Sequence, residues 1–176
     1  MRLVHLSTFC VQVNDVDSLF DIVEFFEKKN VWIAILPVDL VLDYEILENW
    51  IKMNLLDFEN NENRAKKPNM NFLLRVTGKT QIREALKLVS FEKGDRVFLV
   101  VFAEIFDKEK YNAIYEKLRE QGIQIFDIKF SPNLERILRA FNIPESLVDD
   151  FASLYESRNE AIKRFIIENS ALAFLE

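Results

Sequence analysis

The chain has 176 residues, 49% hydrophobic, 30% charged and 12% aromatic, with a net charge of -6, values near the globular average apart from sixteen phenylalanines. That composition excludes a disordered chain, and this length buries roughly 70% of the surface exposed on unfolding, enough for a core without staples. One cysteine, Cys10, excludes an internal disulfide and one histidine, His5, excludes a multi-histidine metal site, so no metal or cofactor is expected. MRLVHLSTFCVQV lacks a signal-peptide h-region and no run of eighteen apolar residues occurs. A cytoplasmic protein in a reducing compartment is expected, with a nuclear location open if the source is eukaryotic.

With three glycines, four prolines and no linker-like stretch, residues 1–176 read as one domain. Residues 2–13 alternate as a strand that is apolar on both faces. Leu19, Ile22, Val23 and Phe26 form the stripe of a helix capped by Asn14 or Asp15. Val31–Leu36 is a strand ending at Pro37, followed by a helix with Ile46, Leu47, Trp50 and Ile51 inward. A polar loop is expected over 57–69, then a strand over Met70–Val76, the turn Thr77-Gly78-Lys79-Thr80, and a helix with Ile82, Ala85, Leu86 and Val89 inward.

RVFLVVFA, Arg96–Ala103, has the near-continuous β-branched and aromatic character of a strand covered on both faces. A helix with Tyr111, Ile114, Tyr115 and Leu118 inward follows and ends at Gly122, and a strand is expected over Ile123–Phe130. The last third reads as short helices split at Pro132 and Pro144. The tail, 170–176, is either a final strand, the reading favoured here, or a continuation of the preceding helix. The expected fold is α/β: one domain with a mixed central β-sheet flanked by helices and a helical C-terminal section.

Gly78-Lys79-Thr80 between a strand and a helix suggests a phosphate-binding P-loop, but that pattern needs another glycine five positions earlier, where Leu73 stands. A tight turn with Thr80 as N-cap is the simpler reading. Cys10 and His5 are at odd separation on one strand, so they point to opposite faces and form no nucleophile pair. The carboxylates of Asp149-Asp150, Asp15/Asp17 and the 57–62 cluster read as solvated surface.

Charge distribution carries the clearest signal. From Arg64 to Arg83 there are six basic residues (Arg64, Lys66, Lys67, Arg75, Lys79, Arg83) and no acidic one. Taking these six from the 23 basic residues leaves 17 against 29 acids, a charge of -12 on the remainder. Lys79, Arg83 and Lys87 recur every four residues as a ridge, and the helix N-terminus near Thr80–Ile82 adds partial positive charge. On the expected strand, Arg75 shares a polar face with Asn71 and Thr77. Taken alone, this basic face fits either solvent or nucleic acid.

The run 72 FLLRVTGKTQIREALKLVSFEKGD 95, the preceding Lys-Lys-Pro and the end 156 ESRNEAIKRFIIENSALAFLE 176 resemble the small regulatory subunit of the KEOPS complex, the PRPK-binding-protein family. The likeness runs from about Glu45 onward and is specific at Gly78, Gln81-Ile82 and Glu84-Ala85. The resemblance implies a noncatalytic α/β subunit in synthesis of threonylcarbamoyladenosine next to the tRNA anticodon. Such a subunit binds and regulates the atypical kinase/ATPase subunit, recruits tRNA by its single-stranded CCA tail, and works indirectly with the threonylcarbamoyltransferase and dimerising subunits.

Carried over, the tail site is Lys66, Lys67, Arg75, Gly78, Lys79, Thr80, Gln81 and Ile82, with Arg83 on the same ridge. Leu172, Phe174 and Leu175 are candidates for the kinase contact, or pack within the protein itself. No membrane contact is expected. The alternatives are a stand-alone small-molecule-binding or enzymatic α/β domain that uses the Gly78-Lys79-Thr80 turn for a phosphate ligand, and a purely structural adaptor whose ridge meets an acidic protein.

Overall fold

The computed structural model describes residues 2–155 and 157–172. In chain order the elements are β1 (Val4–Gln12), α1 (Val16–Glu27), β2 (Val31–Pro37), α2 (Tyr44–Asn60), α3 (Pro68–Thr77) and α4 (Ile82–Leu88), then β3 (Arg96–Ala103), α5 (Lys108–Glu120), β4 (Ile125–Phe126), α6 (Leu134–Ala140), α7 (Glu145–Ala152) and α8 (Arg158–Leu172). The strand order is β2-β3-β1-β4. Every pairing is antiparallel, so the sheet is not mixed. β1 and β2 run in the same direction but β3 lies between them, which splits the β1-α1-β2 crossover and leaves no parallel neighbours.

β3 is central, and only Arg96 of it is exposed. Its alternate residues divide the interior in two. Phe98, Val100 and Phe102 enter the larger core with α2, α3, α4 and α6–α8, while Val97, Leu99, Val101 and Ala103 meet α1 and α5. The stripe Leu19, Ile22 and Phe26 is buried as expected, and Asp15 caps α1 by accepting from the Ser18 amide at 2.9 Å.

The segment expected as a strand over Met70–Val76 is the helix α3. It starts at Pro68 and ends at Gly78 in the left-handed region, φ 62°, the usual start and stop residues of a helix. Residues 71–77 are all buried, so no polar stripe reveals the 3.6-residue period. The loop expected over 57–69 is shorter, because α2 continues to Asn60. Of the strand expected over 123–130, only Ile125–Phe126 pair with β1. The tail is helical through Leu172, which removes the final strand as far as the described residues extend.

A register shift between His5 and Ser7 marks a β-bulge in β1. One extra residue inverts the parity downstream, so His5 and Cys10 lie on the same face and not on opposite ones: Cys10 joins the larger core, and the His5 ring lies 6.2 Å from that of Phe102. They still make no catalytic pair, since His5 Nε2 is engaged with Thr8 Oγ1 at 3.0 Å. Burial pushes the Cys10 thiol up, partly offset by Arg96 and the Lys129 amide, and desolvation lowers the His5 pKa, partly offset by the Ser7 backbone.

A histidine whose native pKa is depressed takes its proton first in the unfolded chain, so its stabilising contribution is complete above about pH 6.5 and is lost below it. The urea midpoint is therefore expected to fall between pH 7 and pH 5.5, and to fall less in a His5→Gln variant. An equal fall in both would show that His5 carries none of the pH dependence.

Candidate nucleic-acid interface

Beneath the basic surface lies a buried polar network that holds α2, α3 and α8 together. Arg75, 7% exposed, faces Asp57, 1% exposed. Its Nε donates to Asp57 Oδ2 at 2.7 Å, its Nη2 donates to Oδ1, and its Nη1 donates to the Ser170 carbonyl at 3.1 Å. Asn71 Nδ2 donates to Asp57 Oδ2 and Asn54 Oδ1, both at 2.9 Å, and Trp50 Nε1 donates to Ser170 Oγ at 2.9 Å. Among the described residues no buried side-chain polar atom lacks a partner, so this is a fully satisfied network of the kind that tolerates burial.

Two expectations are corrected here. Arg75 belongs to the interior and not to the tail site, because as a helical residue in α3 its guanidinium turns to α2 and α8. Asp57 is not solvated surface but its buried counter-ion. The network also reaches the surface through Asn71, whose Oδ1 accepts from the Arg64 amide at 2.8 Å and the Ala65 amide at 3.3 Å. The backbone just before Lys66-Lys67 is thereby anchored. Lys66 and Lys67 are both exposed, and Lys67 Nζ pairs with Glu27 of α1.

Residues 78–81 link two helices, not a strand and a helix. Gly78 is required twice over: its φ is left-handed, and a Cβ there would stand 3.0 Å from Asn169 Nδ2 and 3.2 Å from the Asn169 carbonyl. Its place is against α8, a packing role. Thr80 is not the N-cap. Gln81 is, and its side chain makes no capping bond. At seven residues α4 is short, so the anion attraction expected at its start is small. Thr80, Gln81, Ile82 and Arg83 are exposed and Lys79 is half-buried.

Of the six cations in the basic run, Arg75 and Lys67 are therefore engaged with carboxylates. Among the described residues Lys66, Lys79 and Arg83 form no ion pair, nor does Lys87. Three of these, Lys79, Arg83 and Lys87, follow one another on and just before α4, with Lys66 ahead of α3. Only Ala85 of α4 is buried within the helix, with Val89 at its C-cap; Ile82 and Leu86, expected inward, are 39% and 45% exposed.

The exposed Leu86 opens onto an apolar cleft of about 550 Å³ between α1 and the α3–α4 pair, floored by β2. Phe20, Val23, Met70, Leu73, Leu86 and Phe91 line it. The rings of Phe20 and Phe91 are 5.9 Å apart and inclined at 32°, and Phe20 is 49% exposed. β2 is an edge strand, and Asn69 Nδ2 covers its Ile33 carbonyl at 3.3 Å. Sequence reasoning missed Phe20 and Phe91 as site residues. The available signal was that Phe20 falls outside the α1 stripe, an aromatic with no place in the core.

For the kinase contact, Leu172 ends α8 and is 60% exposed, while Phe174 and Leu175 lie outside the described residues. Among the described residues no group of His, Cys, Asp and Glu could hold a metal ion, and no helix is long and apolar enough to cross a membrane. Fold and surface together define a single α/β domain, an antiparallel four-stranded sheet with helices on both faces and an apolar cleft on one side. The chain matches no protein-family model and no curated protein sequence.

Proposed function

We propose that the protein is a noncatalytic subunit of a KEOPS-type complex that captures the unpaired CCA end of tRNA and docks on the atypical kinase/ATPase subunit. The observation carrying the capture reading is the set of cations Lys66, Lys79, Arg83 and Lys87, which form no ion pair among the described residues, in a fold whose α4 also contributes Leu86 to an open cleft lined by Phe20 and Phe91. Single-stranded nucleic acid is held by this combination: cations follow the phosphates, and apolar or aromatic side chains support unstacked bases. Duplex RNA presents its bases already stacked and would leave the cleft unused.

Two features of the cleft suit this use. Phe20 and the half-buried Phe91 offer ring faces and Leu86 an exposed aliphatic surface, and the Asn71 anchor holds the backbone leading to Lys66-Lys67 in place before any ligand arrives. The kinase contact is assigned to the exposed end of α8 around Leu172. The rival phosphate-turn reading is disfavoured by the missing strand and glycine loop at Gly78-Lys79-Thr80.

The test compares intact tRNA with tRNA trimmed of its single-stranded end, by gel shift. Binding is expected to weaken at least tenfold on trimming. Equal affinity for the two would end the capture reading.

A further inference from the structure

The sheet has two edges, and only one of them is guarded. β2 is buried along its whole length, and Asn69 of α3 donates to its Ile33 carbonyl. On the opposite side β4 meets β1 at Cys10 and Val11 alone, so among the described residues 4–9 pair with β3 and with no strand on their outer side. Every second residue of such an edge turns its amide and carbonyl outward, where another strand can bond them. Natural edges are blunted by charge, proline or a covering element. Val4-His5-Leu6-Ser7-Thr8-Phe9 contains no Lys, Arg, Asp, Glu or Pro, and Val4, His5, Ser7 and Thr8 are only half-buried.

We propose that this edge joins a second copy of the chain, antiparallel about a twofold axis, making one sheet of eight strands from two of four. The bulge makes β1 complementary to itself. A twofold axis perpendicular to the sheet keeps each face on its own side, so residues set opposite one another must come from the same face. Val4, Leu6 and Phe9 lie on the side of α1 and α5, which Ser7 shares by parity with Phe9. His5, beside Phe102 and bonded to Thr8, lies with it on the other side, that of Cys10. With Val4 opposite Phe9 of the second copy, His5 falls opposite Thr8 and Leu6 opposite Ser7. All six positions then pair face for face and stop short of Cys10, where β4 takes over the edge. Unbroken alternation would put Val4 and Phe9 on opposite faces and forbid this register. Charge favours the same seam, since a net charge of -6 makes two copies repel and residues 4–9 add nothing to that repulsion. Ile105 and Phe106, 69% and 67% exposed, follow Ala103, the β3 residue opposite Val4, and supply apolar area at each end of the seam.

The test is sedimentation velocity of the full chain. A reversible dimer is expected across a range from about 1 to about 100 μM, with a dissociation constant on the order of 10 μM, because a six-residue ladder with small apolar flanks lies at the low end of specific interfaces. Ser7→Lys and Ser7→Glu each bring like charges together at the centre of the seam. Each variant is expected to stay monomeric at every concentration, with the melting temperature of the dilute wild type. Mixed one to one, the two variants are expected to dimerise again, a rescue that misfolded chains could not give. A wild type that remains monomeric at the highest concentration would overturn the proposal, as would a dimer that persists in either variant alone or a mixture that fails to pair. None of these outcomes bears on the capture reading, in which residues 4–9 take no part.

Discussion

Asp57→Ala is expected to cost the fold about 3–5 kcal/mol in a urea titration, because it removes the buried carboxylate that accepts from both Nε and Nη2 of the Arg75 guanidinium. It also strips Asn71 Nδ2 of one acceptor, which loosens the anchor on residues 64–65. The paired variant Asp57→Leu/Arg75→Met removes both charges together and should recover most of that loss. About 1–3 kcal/mol remains, since the Ser170 carbonyl then loses the Arg75 Nη1 donor and Asn71 Nδ2 loses the Asp57 acceptor. The paired variant also separates interior from interface: once folded, it is expected to bind tRNA within twofold of the wild type. A tenfold weaker complex would mean that Arg75 does reach the RNA.

Reversing Lys79, Arg83 and Lys87 to glutamate is the second large effect, expected on binding and not on stability. None of the three has an ion-pair partner among the described residues to lose. Four cations meeting four single-strand phosphates give a log–log salt slope of about -3, and removing three of them should bring it to about -1 or shallower. Affinity for tRNA should fall at least a hundredfold at low salt. Lys108→Glu, on the first turn of α5, serves as a control expected to change neither quantity. An unaltered slope in the triple variant would place the RNA, if it binds, on another surface.

These experiments also shape how the kinase contact is examined. Removing residues 170–176 would take away Ser170, which satisfies both Trp50 and Arg75 from the end of α8, so such a truncation confounds folding with binding. A second tie lies about two turns earlier in α8, at Lys163. Its ammonium bonds Asp43 at 2.8 Å and Glu45 at 2.7 Å, is held well above the ordinary lysine range by those two carboxylates, and ties α8 to the start of α2. Substitution at exposed Leu172 leaves both ties intact and is the cleaner probe.

Much of the architecture was legible, α1 because its outer face meets solvent and β3 because a continuous β-branched and aromatic run marks a strand covered on both faces. The Leu19/Ile22/Phe26 stripe of α1 and the apolar run of β3 were read with the right type and nearly the right ends. α3 was not, since a helix enclosed on all sides shows neither a two- nor a 3.6-residue period, and Pro68 and Gly78 were its only marks. β4 failed for the opposite reason: a hydrophobic segment leaves the sheet after two residues, and nothing local records where pairing stops. The bulge at His5–Ser7 is likewise a feature of pairing with β3, so parity counted along β1 alone gave the wrong face for Cys10 relative to His5.

Composition and order of residues alone determined that the chain builds a core without disulfides, that its elements are both helices and strands, and that its positive charge is concentrated between Arg64 and Arg83. Only the tertiary structure decided which of those charges remain available. Arg75 and Lys67 are engaged by carboxylates 18 and 40 positions away in the chain, and Phe20 meets Phe91 across a cleft that no local pattern predicts. The reason is that sequence reports how many charges and rings a chain carries, while Coulomb attraction and burial depend on distances set by packing among segments far apart in the chain.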